Sequence, residues 1–154
     1  MKRVAVLSDT HGLLRPEVLD VLRSADVILH AGDINSQNVV DTIRSCGESY
    51  FVRGNNDKEW AAALPHDLHV NVEGVRFFMV HNKKEVPPSL ADVDIVLYGH
   101  SHKYACMEKN GVFWLNPGSC GPRRFDQEIT MCVLQVDGTA WQAEKFTIPH
   151  SERH

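Results

Sequence analysis

Long apolar runs are missing from this 154-residue chain. Val4 to Leu7, and Val75 to Val80 with Arg76 inside it, span only a few residues. A membrane helix needs roughly 20. The apolar stretch after Met1-Lys2-Arg3 is too short for a secretion signal, so a cytoplasmic location is expected. Positive charge is also in short supply: 16 Lys and Arg stand against 20 Asp and Glu, for a net charge of −4. A duplex-binding basic face, and strong nucleic-acid affinity generally, are therefore disfavoured. Cysteine occurs only at 46, 106, 120 and 132, with no C-x-x-C spacing, which excludes the common zinc fingers and reads as inert, reduced thiols. No repeat, low-complexity tract or linker breaks the chain, and 43% hydrophobic with 23% charged residues is ordinary globular usage. One domain over 1–154 is expected. The residue in excess is histidine, with nine copies.

Apolar patterning predicts a strand at Arg3–Ser8, a helix at Pro16–Ser24 with Pro in its first turn, and a strand at Asp26–His30. A helix capped by Ser36 and carrying Val39, Val40 and Ile43 follows, then a strand at Tyr50–Val52. This β-α-β-α-β order implies parallel strands with right-handed crossovers. The second half reads as hairpins around Glu73-Gly74, Asn110-Gly111 and Asp137-Gly138, with a further strand at Asp94–Tyr98. The expected architecture is two packed, mixed sheets with helices outside.

Polar side chains with metal-ligand chemistry fall where these strands end. Asp9-x-His11, Gly32-Asp33, Gly54-Asn55, Val80-His81 and His100-x-His102 each close a strand. Loops beyond the carboxyl ends of strands converge residues distant in sequence. Taken singly, each has an ordinary explanation as a turn residue, a helix cap or a structural histidine. Taken together they make two Asp, one Asn and four His, with no sulfur. That is too many for one tetrahedral site and suits two divalent ions sharing a carboxylate, an arrangement used in phosphoryl hydrolysis. Such donors favour Mn, Fe, Zn or Ni.

Ser8-Asp9-Thr10-His11-Gly12, His30-Ala31-Gly32-Asp33, Gly54-Asn55-Asn56-Asp57, Val80-His81 and Gly99-His100-Ser101-His102 resemble the motifs of the calcineurin-like metallophosphoesterases. Asn116-Pro117-Gly118-Ser119, followed by Pro122-Arg123, resembles their small YfcE-type phosphodiesterases. The resemblance runs from about residue 3 to 136. It implies an α/β fold, a four-layer α/β/β/α sandwich with the dimetal centre at one edge. It gives one metal Asp9, His11 and His102, the other Asn55, His81 and His100, and makes Asp33 the bridge. It further implies manganese as the working metal, with iron, zinc or nickel as alternatives. The implied activity is hydrolysis of a small phosphodiester by a hydroxide bridging the metals.

This chain departs from the family pattern at Asn56, where larger members carry His and the small subgroup often carries Cys. The family uses that His to assist the leaving oxygen, and an amide cannot act as a general acid near pH 7. Asn82 replaces a usual Gly after His81. Asp57 is expected to orient Asn56 or a ligand loop, and Arg123 or Arg124 to meet substrate phosphate. His30 is expected to support the Asp33 loop from behind. His66, His69, His150 and His154 receive no role, and Trp60, Trp114 and Trp141 are assigned to packing. Two other readings stay open: a metal-binding interaction scaffold with vestigial activity, like the retromer subunit of this fold, and a phosphomonoesterase or nucleotide pyrophosphatase. Strand edges in so small a sandwich also leave room for a homodimer.

Overall fold

The computed structural model describes residues 1–55, 57–87, 90, 92–122 and 127–148. The elements in chain order are β1 (Lys2–Leu7), α1 (Pro16–Arg23), β2 (Val27–His30), α2 (Gln37–Cys46), β3 (Glu48–Phe51), β4 (Asp67–Val72), β5 (Val75–Val80), β6 (Ile95–Leu97), β7 (Tyr104–Lys109), β8 (Val112–Pro117), β9 (Thr130–Asp137) and β10 (Ala140–Thr147). Two 3₁₀ turns, Glu59–Ala61 and Lys83–Glu85, were not anticipated from the periodicity. At three residues each, they are too short to carry a period.

The strands form two five-stranded sheets, ordered β10-β9-β1-β2-β3 and β4-β5-β6-β8-β7. In the first, β1, β2 and β3 run parallel, with Val4 opposite Val27 and Val27 opposite Glu48, while β9 and β10 join antiparallel. In the second, β5, β6 and β8 run parallel between the two antiparallel edge strands β4 and β7. This is the expected α/β sandwich of two mixed sheets.

Alternation in the strands explains the layering. Val4 and Val6 point between the sheets, where they meet Leu29, Phe77, Met79, Leu97, Leu115 and Leu134. Ala5 and Leu7 point the other way, into a core with Val18 and Leu22 of α1 and Val39, Val40 and Ile43 of α2. A strand buried on both faces reads as an unbroken apolar run, as Val4–Leu7 does. Pro16 opens α1, and the Ser36 hydroxyl accepts from the Asn38 amide at 3.1 Å to cap α2. The outer face of the second sheet carries a third, smaller core. There the Lys83–Glu85 turn, Val86, Leu90 and Val93 lie against Phe78, Val80, Val96 and Tyr98. Trp60, Trp114 and Trp141 each pack at the margin of one of these three cores. Among the described residues no helix is long and apolar enough to cross a membrane.

Leu97 is fully buried between the sheets. Leu97→Ala is expected to lower the unfolding free energy by about 2–5 kcal/mol, read as a shifted urea midpoint at unchanged slope.

Candidate metal centre

Every candidate ligand stands just past the carboxyl end of a strand. In the first sheet β1 delivers Asp9 and His11, β2 Asp33 and β3 Asn55; in the second, β5 delivers His81 and β6 His100 and His102. The first two loops are laced together. The Asp9 amide donates to the Gly32 carbonyl at 2.9 Å, His11 to Asp33 at 3.0 Å and Gly12 to Ile34 at 2.8 Å. They continue the parallel ladder beyond the sheet.

The loops hold unusual backbone. Asp9, His11, Asp33, His100 and His102, five of the seven candidates, have φ between 46° and 75°. Asp and His tolerate this region better than most residues, yet each such position carries strain, which clusters at functional sites. Two glycines make room for the carboxylates. A Cβ on Gly54 would collide with Asp33, and one on Gly99 with Ser8 Oγ and Asp9 Oδ2.

The donor atoms gather into two groups, Asp9 with His11 and His102, and Asp33 with His81 and His100. Within each group the atoms lie within 4.8 Å of one another. Asp33 Oδ2 is 3.2 Å from His81 Nε2 and 3.9 Å from His11 Nε2, so one carboxylate reaches both groups. Asp9 Oδ1 is 3.4 Å from His102 Nε2 and 3.8 Å from Nε2 of both His11 and His81.

His81 shows what this arrangement lacks. Its Nδ1 lies 2.9 Å from the Ala31 carbonyl, which can only accept, so Nδ1 carries the proton. In the neutral ring Nε2 then turns a lone pair toward two carboxylates. Both His81 Nε2 and Asp9 Oδ1 are buried without a hydrogen bond. Facing lone pairs in a buried volume repel unless a positive charge lies between them. Burial opposes protonation of His81, but Asp33, Asp9 and the Ala31 carbonyl outweigh it and raise its pKa above the ordinary value. The site thus draws positive charge, and a hydrogen-bonded Nδ1 with an open Nε2 is the pattern of a metal-ligating histidine. The donors present, carboxylate and imidazole, fit divalent metal ions.

The surrounding residues hold the loops. Asp9 Oδ2 accepts from the Ser8 hydroxyl at 2.7 Å and the His100 amide at 3.1 Å. The Asp57 carboxylate accepts from the amides of Ile34, Asn35 and Gly54 at 2.8–3.2 Å. It fastens the Asp33 turn to the Gly54 loop and is a positioning residue. His30 accepts from the Gly32 amide at Nδ1 and donates from Nε2 to Thr10 Oγ1, both at 3.0 Å. It stands behind the Asp33 loop, and burial depresses its pKa to about 4. Asn116 donates to the Gly99 carbonyl and Ser101 Oγ, while Ser119 donates to the Asp9 carbonyl. The Asn-Pro-Gly-Ser segment thereby clamps both ligand loops. The buried Cys120 thiol is pushed up to about 12, chiefly by burial, and is unreactive.

Asn55 is exposed and borders a cavity of about 400 Å³ shared with His81 and His100. Asn56, Arg123 and Arg124 lie outside the described residues. Two features escaped the sequence reading. The Asn35 amide lies 3.2 Å from His11 Nδ1, where it can fix the ring's orientation. An Asn in a turn carries no signal of that role. His66 lines the same cavity beside Arg53, pinned at 3.0 Å to Asp67 and 3.1 Å to Glu85, which raise its pKa. Its contact with Glu85 joins distant segments and has no local signature.

The model of the calcineurin-like phosphoesterase superfamily domain matches residues 1–139. A probable metallophosphoesterase of Methanothermobacter thermautotrophicus is 30% identical over 92% of this chain and 90% of its own. Phosphodiesterase MJ0936 of Methanocaldococcus jannaschii is 25% identical over 77% and 84%. Among solved structures, Chaetomium thermophilum Vps29 superposes with a TM-score of 0.83 at 21% identity, covering 99% of this chain and 90% of that one. The phosphoesterase YfcE of E. coli superposes at 0.70 and 24% identity, covering 86% and 88%. At these identities the two structures establish the shared fold.

Two outcomes follow for the metal-free protein. His30 binds a proton less readily folded than unfolded, so its contribution is complete above pH 6.5 and lost as pH falls toward 4. The loss amounts to about 3 kcal/mol; urea melts across that range should show it, and His30→Gln should flatten the slope. His100 is exposed and left-handed. His100→Gly should therefore be more stable than His100→Ala by about 1 kcal/mol, measured by the same melts.

Proposed function

This chain belongs to the calcineurin-like phosphoesterase superfamily, and from that premise we propose that it is a phosphodiesterase working with two divalent cations, manganese first among them. Asp9, His11 and His102 hold one cation and Asn55, His81 and His100 the other, with Asp33 reaching both. The observation that carries the reading is the buried pair of Asp9 Oδ1 and His81 Nε2, each without a hydrogen bond. When bound, such cations polarise phosphoryl oxygens and make water acidic enough to attack at neutral pH.

The chain's own groups have definable tasks. The Ala31 carbonyl keeps the proton on His81 Nδ1 and its lone pair at Nε2. Asp57 and Asn116 fix the loops that carry the donors. The cavity bordered by Arg53, Asn55 and His66 gives an ester arm room beside the centre, which favours a diester over a monoester. With Asn at position 56, no imidazole at that place protonates the leaving oxygen. General acid help is worth about 10²–10⁴-fold, so aryl esters should turn over far faster than alkyl esters. The likeness to Vps29 is one of fold, and the complete set of seven donors argues against a purely scaffolding role.

The test is hydrolysis of bis-p-nitrophenyl phosphate with added manganese. Wild type should be active, and Asp33→Asn should lower kcat/KM by roughly 100-fold or more with an unchanged circular dichroism spectrum. Elemental analysis should find two metals per chain. Bound metal without activity toward any diester would instead identify a scaffold.

A further inference from the structure

A second cavity, of about 350 Å³, is also lined by His100. It shares Asn82 and His100 with the cavity beside the metal centre, so the two flank the same candidate ligand. Its wall is mostly apolar, built from Tyr98, Ala105 and lysine stems, and Lys83, Lys84 and Lys103 stand around it. Among the described residues no acidic side chain lines it. None of the three lysines makes an ion pair among the described residues.

In a chain of net charge −4 this grouping is not what average composition delivers. The local build sorts the charges. Asn82 Oδ1 accepts from the Lys84 amide at 3.0 Å and caps the 3₁₀ turn that carries Lys83, Lys84 and Glu85. Glu85 leaves that turn toward the first cavity, where His66 holds it at 3.1 Å. The Lys83 ammonium lies 5.8 Å from the Tyr98 ring centroid, within cation–π reach. Three positive charges without an ion pair among the described residues thus surround an apolar pocket that abuts the candidate second cation site.

We propose that this cavity is a substrate subsite for an ester arm that combines an aromatic or apolar body with a second phosphate. The preferred substrate class is then a phosphodiester carrying a further phosphate, of which a 5′-phosphorylated dinucleotide is the simplest example. The proposal rests on the phosphodiesterase reading of the adjoining centre. The apolar wall takes the body, and the lysines take the charge that a simple diester lacks. The volume is within the usual range for a small-ligand site.

The test separates the two readings. Binding of the dinucleotides pApA and ApA to the metal-free protein is measured by titration calorimetry, and hydrolysis of both and of bis-p-nitrophenyl phosphate is measured with manganese. Wild type should bind pApA about 10-fold or more tightly than ApA. Lys83→Ala/Lys84→Ala and Lys103→Ala should remove that preference and raise KM for pApA by a similar factor. Their kcat/KM for bis-p-nitrophenyl phosphate, which has no second phosphate, should fall by less than that for pApA. Equal binding of pApA and ApA by wild type, or a preference that survives the lysine variants, overturns the subsite whatever the hydrolysis result. Phosphate-dependent binding with no hydrolysis of any diester would sink the phosphodiesterase reading and leave the anion subsite standing.

Discussion

Asp9 and Asp33 are both almost completely buried at the ends of adjacent parallel strands, and they face the same small volume. Taking a carboxylate out of water costs several kcal/mol after relaxation. One oxygen of Asp9 is compensated by Ser8 and the His100 amide, whereas among the described residues the other faces imidazole nitrogens across 3.4–3.8 Å without a hydrogen bond. The neighbourhood can be understood as the means of keeping these charges in place. Glycines 54 and 99 allow the approach, Asp57 holds the turn after β2, and the Asn116–Ser119 segment holds the loops after β1 and β6. A divalent cation would satisfy what hydrogen bonds leave open.

The left-handed backbone falls at the same place. A strand that simply ran on would keep extended dihedrals, whereas φ is positive at Asp9 and His11 and again at His100 and His102, so the chain turns out of the strand at the donors themselves. The β1 and β2 loops can hold such conformations because their amides and carbonyls continue the ladder of the sheet beneath. Stability made in the sandwich core, where Val4, Leu29, Leu97 and Leu115 are fully buried, underwrites strain at its rim.

Much of this was legible in the residue order, for identifiable reasons. The strands β1, β2, β5 and β9 carry apolar runs long enough to show, α1 and α2 open on Pro16 and Ser36, and Glu73-Gly74, Asn110-Gly111 and Asp137-Gly138 mark their hairpins. The candidate ligand side chains were visible because each interrupts the chain just after an apolar stretch. The Lys83–Glu85 turn was hidden because three residues have no period. The roles of Asn35, His66 and Asn116 were hidden because they arise from contacts between segments far apart in sequence. A central carboxylate such as Asp57 could be suspected from its neighbours, but its three amide partners could not be read from the string.

The candidate centre draws on both sheets: Asp9, His11, Asp33 and Asn55 follow strands of one, His81, His100 and His102 strands of the other. The Ala31 carbonyl and His81 Nδ1 already bridge that divide. The spacing of the donors is therefore inherited from the angle and separation at which the sheets rest on each other. Interior residues nowhere near the chemistry, Phe77 and Met79 against Val4 and Val6, act as its shims. Drift in the volume of that filling is limited less by what the fold can tolerate than by how far the two halves of a ligand cage can slide before they no longer close on the same ion.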